Sequence, residues 1–161
     1  MIELKDFPDR NTLKAFQARF PQLDLPALES WLSILKTAAH LEERLNRFLG
    51  DRGLQQNRFF TLLLLSRNPD GLTPSALAER LGVSKPTITG LIQRMERDGL
   101  ARRNPSPVSR RECIIQLTPE GESLLNDTLP EHYRRVSLIL EQLTPGDHAT
   151  LTAILHKISP P

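Results

Sequence analysis

Between positions 84 and 97, polar side chains cluster in a short segment. They are Ser84, Lys85, Thr87, Thr89, Gln93, Arg94 and Arg97, with the small residues Pro86 and Gly90 among them. Hydroxyl and carboxamide groups can exchange hydrogen bonds with the edges of flat polar rings such as nucleobases, and the cations attract phosphate. No acid interrupts the group before Glu96. A second cationic pair, Arg110 and Arg111, follows a stretch holding Pro105 and Pro107. This chemistry suits recognition rather than bond breaking. The chain carries no Gly-rich phosphate loop, no nucleophile elbow and no carboxylates clustered with a base, so no catalytic residue is assigned. His40, His132, His148 and His156 pair neither with one another at helical spacing nor with Cys113 at metal-like spacing. Neither a metal nor a cofactor is therefore expected.

These side chains need elements to position them. Leu77, Ala78 and Leu81 mark one face of a helix from Pro74 to Leu81, and Gly82-Val83-Ser84 makes a tight turn. Ile88, Leu91, Ile92 and Met95 then mark one face of a second helix, from Lys85 to Asp98. Two short helices joined by a Gly-containing turn describe a helix-turn-helix. At 100° per residue the second helix turns Pro86, Gly90, Gln93 and Arg97 away from its apolar stripe, flanked by Lys85, Thr87, Thr89 and Arg94. The N-terminal end of such a helix is the part that approaches base edges in a major groove. Two strands follow, Leu100–Arg103 and Glu112–Leu117, with Cys113, Ile115 and Leu117 alternating against polar neighbours. An arginine on a hairpin beside a recognition helix suits a narrow minor groove or flanking phosphates. Double-stranded DNA is the partner these residues imply.

Elsewhere, Leu-Thr-Pro recurs at 72–74, 117–119 and 143–145. Thr caps a helix and Pro opens it, so three helices should start there. Ser84 and Asp24 cap two more, and Gly82 and Gly99 stand where a left-handed residue ends a helix. The remaining helices are read as Thr12–Phe20, Leu25–Leu49, Gln55–Ser66, Pro119–Gln142 with a kink at Pro130, and Pro145–Ile158. The fold class is mainly α with a small β-hairpin wing (α+β), a winged helix-turn-helix flanked by long helices. Residues 1–53 form an N-terminal extension and dimerisation helix, 54–117 the DNA-binding part and 118–161 C-terminal dimerisation helices. The apolar series Leu125, Leu129, Val136, Ile139 and Leu143 is too long for a small winged lobe to cover, which points to a second copy of the chain.

Composition agrees. The chain has 161 residues, 39% hydrophobic and 25% charged, as in ordinary globular proteins. Its net charge is only +2, yet residues 79–112 hold eight Lys/Arg against four acids. The aromatic content of 5% argues against a stacking platform for single strands. A lone cysteine suits a reducing cytoplasm, and Cys113 reads as strand packing. No apolar run approaches a membrane span and the first residues do not read as a signal peptide. His132 reads as an interface histidine. The ligand-binding residues stay unassigned, with Trp31 and His40 as candidates and His132 a lesser one, and Trp31 reads first as core.

The text Leu72-Thr-Pro-Ser-Ala-Leu-Ala-Glu-Arg-Leu-Gly-Val-Ser84, Thr87-Ile-Thr-Gly-Leu91, Arg94-Met-Glu-Arg-Asp-Gly-Leu-Ala-Arg-Arg103, Arg110-Arg111 and Leu117-Thr-Pro-Glu-Gly121 resembles the MarR family of winged-helix regulators. About half the chain matches in detail, and the flanking helices match in placement. The resemblance implies a homodimeric repressor on a pseudo-palindromic operator, with interlocked terminal helices. It implies that Thr87, Thr89 and their neighbours enter the major groove and that Arg110 is the wing arginine. It further implies control by a small anionic or aromatic ligand between the dimerisation and DNA-reading parts. The chain departs from the family at Ser109, where an Asp is usual, and at Gly90, where a larger basic residue is common. The first departure removes a carboxylate that would orient an arginine, the second a base or phosphate contact.

Overall fold

A computed structural model of the chain describes residues 7–106 and 112–159. Seven helices and two strands follow in the order α1 (Arg10–Arg19), α2 (Leu25–Gly50), α3 (Gln56–Ser66), α4 (Pro74–Leu81), α5 (Lys85–Arg97), β1 (Ala101–Pro105), β2 (Cys113–Leu117), α6 (Pro119–Ile139) and α7 (Pro145–Ile158). Local chemistry starts most of them. Asp9, Asp24, Thr73, Ser84, Thr118 and Thr144 each accept a backbone N–H of the helix that follows, and Pro opens five of those helices. Thr144 and Asp147 close a reciprocal capping box.

The chain divides into two compact units, residues 1–56 and 57–161. In the first, Leu13 of α1 is buried and Arg10 meets Glu29 of α2 at 3.3 Å. A helix of ten residues cannot cover one of twenty-six, about 39 Å long. The buried residues of α2 are accordingly confined to its ends, at Leu25, Phe48 and Leu49. Trp31 is 56% exposed, which corrects its reading as a core residue.

The core of the second unit joins Phe59, Leu62 and Leu65 of α3, Leu77 and Ala78 of α4, and Ile88, Leu91, Ile92 and Met95 of α5. Ala101, Ile115 and Leu125 of the hairpin and α6 complete it. Buried Thr61 and Thr128 donate their hydroxyls to carbonyls four residues back, so neither is orphaned. β1 and β2 pair antiparallel with Ala101 opposite Leu117 and Pro105 opposite Cys113. Leu72 and Ile115 exchange backbone hydrogen bonds at 3.0 and 2.8 Å, adding a one-residue third strand.

The start of α6 is tied to the start of the hairpin. The Thr118 amide donates to the Leu100 carbonyl at 3.2 Å and its hydroxyl donates to the Gly99 carbonyl at 2.6 Å. That same hydroxyl oxygen caps α6 by accepting the Gly121 amide at 3.0 Å. α6 runs through Pro130 and ends at Ile139, three residues before the expected Gln142. Along it Leu125 is buried, Val136 is exposed, and Leu129 and Ile139 are half-buried, as is Leu143 beyond its end. α7 has no buried residue, and Leu151, Ile154, Leu155 and Ile158 all face solvent. Among the described residues no helix is long and apolar enough to cross a membrane.

Candidate nucleic-acid interface

The geometry of the recognition segment begins at Thr73, whose hydroxyl accepts the Ala76 amide at 3.2 Å and starts α4. Gly82 ends that helix in the left-handed region at φ 63°, and the Val83 amide closes the turn on the Ala78 carbonyl. Such a φ strains any residue with a Cβ, so glycine sets the angle between α4 and α5. Ser84 then caps α5 by accepting the Thr87 amide at 3.3 Å. Ile88, Leu91, Ile92 and Met95 are all buried, which fixes the roll of α5 about its axis.

The opposite face follows from that roll. Ser84, Lys85, Pro86, Thr87, Thr89, Gln93, Arg94 and Arg97 are exposed and Gly90 is half-buried, so the structure brings all nine expected residues of this segment onto one accessible surface. Thr89 donates its hydroxyl to the Lys85 carbonyl at 2.9 Å. Ser84 and Thr87 share a hydroxyl contact at 2.8 Å. With its proton engaged, Thr89 presents lone pairs and a methyl, suited to accepting from an exocyclic amino group or packing on a thymine methyl. Pro86 has no N–H and the Thr87 amide is committed to the cap, so the first turn offers fewer amides to phosphate than an ordinary helix start.

Charge is sorted along the same face. Glu96 is met by Arg103 at 2.9 Å, and Asp98 by Arg58 at 2.8 Å with Arg97 at 3.7 Å. Arg103 is thereby withdrawn from the count of cations facing outward. Among the described residues no acid pairs with Lys85 or Arg94. The Arg94 guanidinium lies back toward Gly90, where an added Cβ would meet it at 3.6 Å. A Cβ there would make only an ordinary van der Waals contact with this exposed arginine. The second arginine pair, Arg110 and Arg111, and the neighbouring Ser109 lie outside the described residues.

On the outer face of the hairpin, Asn104 donates its amide to the Gln116 carbonyl oxygen, and Gln116 donates to the Pro69 carbonyl at 2.8 Å. Gly71, at φ 89°, makes room for this, since a Cβ there would lie 2.8 Å from the Gln116 Cγ. Residues 69 and 116 are far apart in sequence and no local pattern announces the pairing. Cys113 is half-buried rather than packed away, because it pairs with Pro105 near the end of the described hairpin.

The ligand candidates stay apart. Trp31 and His40 are both exposed on α2, and neither lines the cleft of about 700 Å³ between α1 and α2. That cleft is lined by Phe7, Arg10, Leu13, Glu29, Leu32 and Lys36 among others. His132 of α6 stands edge-on to buried Phe59 of α3 at 5.3 Å, and burial pushes its imidazole below the ordinary value. Among the described residues no three His, Cys, Asp or Glu side chains come together as a metal site.

Comparison with known proteins agrees with this geometry. The MarR family matches residues 52–112. The HTH-type transcriptional repressor YetL of Bacillus subtilis is 32% identical over 141 residues, covering 87% of this chain and 84% of its own. The crystal structure of Sco3205, a MarR family transcriptional regulator from Streptomyces coelicolor in complex with DNA, superposes with a TM-score of 0.77 at 27% identity. It covers 85% of this chain and 88% of its own. AbsC, another MarR family regulator from Streptomyces coelicolor, gives 0.74 at 25% identity over 96% of both chains. A winged helix-turn-helix with this sequence kinship has one reading: the chain belongs to the MarR family, whose members are DNA-binding transcriptional regulators and not enzymes.

Proposed function

We propose that the protein is a homodimeric repressor that binds a pseudo-palindromic operator in double-stranded DNA. The observation that carries this is the face of α5, where exposed Lys85, Thr87, Thr89, Gln93, Arg94 and Arg97 stand opposite the buried Ile88, Leu91, Ile92 and Met95. In this reading Thr87, Thr89, Gly90 and Gln93 approach base edges. Ser84, Lys85, Pro86, Arg94 and Arg97 border the phosphates, and Arg110 or Arg111 enters the minor groove. The repressor name of YetL and the DNA complex of Sco3205 support it.

The dimer rests on apolar surface. α7 buries nothing, and Trp31, Leu35 and Leu41 of α2 and Val136 and Leu138 of α6 face solvent in the single chain. Apolar faces on this scale belong at an interface. The assignment of residues 1–53 and 118–161 to dimerisation and of 54–117 to DNA reading is part of the proposal. So are release by a small anionic or aromatic ligand and action in the cytoplasm, both of which follow the family.

The test uses fragments selected by the purified protein from the source organism's genomic DNA. Affinity should exceed that for random duplex by at least about a thousandfold, and each phosphate contact should add about 0.9 to the slope of log affinity against log salt. Sedimentation at micromolar concentration should give twice the chain mass of 18.2 kDa. A monomer, or binding indifferent to salt and sequence, would overturn the proposal.

A further inference from the structure

The hairpin is anchored by buried Ala101 and Ile115 and by the Arg103–Glu96 pair to α5, but its ties to the loop before α4 are few. Among the described residues, the third strand supplies β2 with two backbone bonds, between Leu72 and Ile115. A two-stranded ribbon twists readily and is marginal when isolated. Gln116 adds a side-chain tie across all three segments. Its carboxamide accepts from Asn104 of β1 and donates to the Pro69 carbonyl at 2.8 Å, in the loop that leads into α4. Gly71 has no side chain to obstruct the crossing, and at 2.8 Å from the Gln116 Cγ a Cβ would block it. Arg102, directly opposite Gln116 in the register, is exposed and leaves the carboxamide to this role.

We infer that Gln116 is a positioning residue for the wing, fixing the pitch of the described hairpin relative to the recognition helix. This rests on the proposed DNA reading. From Gln116 to Glu112 the strand rises about 13 Å, so a tilt of about 10° moves that end by about 2 Å, enough to separate a hydrogen-bonded pair. Gln116 touches no DNA in this scheme and acts through the arm it holds. The carboxamide suits the role because it accepts from one strand and donates to the loop at once, which neither a carboxylate nor an apolar side chain of the same length can do.

The test compares Gln116→Met and Gln116→Glu with the double variant Arg110→Ala/Arg111→Ala. The probes are one genomic fragment selected by the protein, remade with A·T-rich and with G·C-rich flanks. The readout is the ratio of the two affinities, because a loss of folded protein scales both alike and leaves their ratio unmoved. The unaltered protein should prefer the A·T flanks, and the double variant should flatten that preference. Both Gln116 variants should lower the ratio about threefold or more, the reach of one hydrogen bond, and amide exchange at Leu72 and Ile115 should quicken. If the double variant flattens the ratio and the Gln116 variants leave it intact, the positioning role is wrong. If the double variant also leaves it intact, the wing reading itself falls, and the inference with it.

Discussion

Gly121→Ala should be among the most damaging single-methyl additions to this fold. A Cβ at position 121 would lie 2.1 Å from the Leu100 carbonyl oxygen and 3.2 Å from the Leu117 Cδ2. An ordinary carbon–oxygen contact needs about 3.3 Å, so α6 would have to retreat from the hairpin by about 1 Å. That retreat opens the Thr118 bonds to the Gly99 and Leu100 carbonyls, which stand at 2.6 and 3.2 Å. Two such bonds contribute about 1 kcal/mol each, and overpacking a tight site costs about 1–3 kcal/mol. Alanine returns at most about 1 kcal/mol of helix propensity. The net expectation is a loss of about 2–4 kcal/mol, a large share of the stability of a typical domain. Urea unfolding followed by circular dichroism, at one fixed protein concentration, measures it. Gly146→Ala is the control, because a Cβ there meets only the Thr144 hydroxyl, at 3.8 Å. It should be neutral or slightly stabilising. A loss below about 1 kcal/mol for Gly121→Ala would show that α6 and the hairpin are not locked as described.

Further outcomes follow from the same geometry. Ser84→Ala removes the cap of α5 and should lower stability by about 1 kcal/mol in the same urea assay. Thr89→Ala should relax preference at particular operator positions, whereas Arg94→Ala should weaken all sequences alike and flatten the salt slope; competition binding on single-base operator variants separates the two. Burial holds the His132 imidazole below its ordinary 6.5, so the unfolded chain takes up a proton first as pH falls. Stability should therefore decline as pH drops below about 6.5, and the decline should be shallower in His132→Gln. Neighbouring Glu131 does not confuse the readout between pH 7.5 and 5.5, since hydrogen bonding to Arg134 brings it down to about 2 and it stays charged. Equal slopes for the two proteins would remove the basis for this expectation.

The sequence disclosed whatever short-range chemistry controls. Thr73, Ser84, Thr118 and Thr144 cap the expected helices because a hydroxyl needs only an amide three residues on. The stripe Ile88, Leu91, Ile92 and Met95 lies buried as its period demands. Expectation fails where distant segments decide. Trp31 is exposed because the partner element that would cover α2 within the chain is too short, a fact about α1 rather than about Trp31. The early end of α6 and the start of α1 at Arg10, two residues before the expected Thr12, turn on where packing and a cap at Asp9 take over. The Arg103–Glu96 pair and the Gln116 crossing join elements that sequence spacing alone does not place side by side.

The tie at Thr118 also bears on how such a protein can change over evolutionary time. Leu100 and Thr118 are hydrogen-bonded neighbours, so the chain between them leaves and returns at nearly one point. Inside that closed loop, Ser106 is again joined to Glu112 by a backbone bond at 3.1 Å. A segment whose ends are already held together can be lengthened, shortened or exchanged with little effect on the helices outside it. Closure entropy rises by only about 0.6 kcal/mol for each doubling of the length of such a connection. Sequence changes between Ser106 and Glu112 can thus accumulate while the spacing of α5 and α6 stays set by Gly99, Leu100, Thr118 and Gly121.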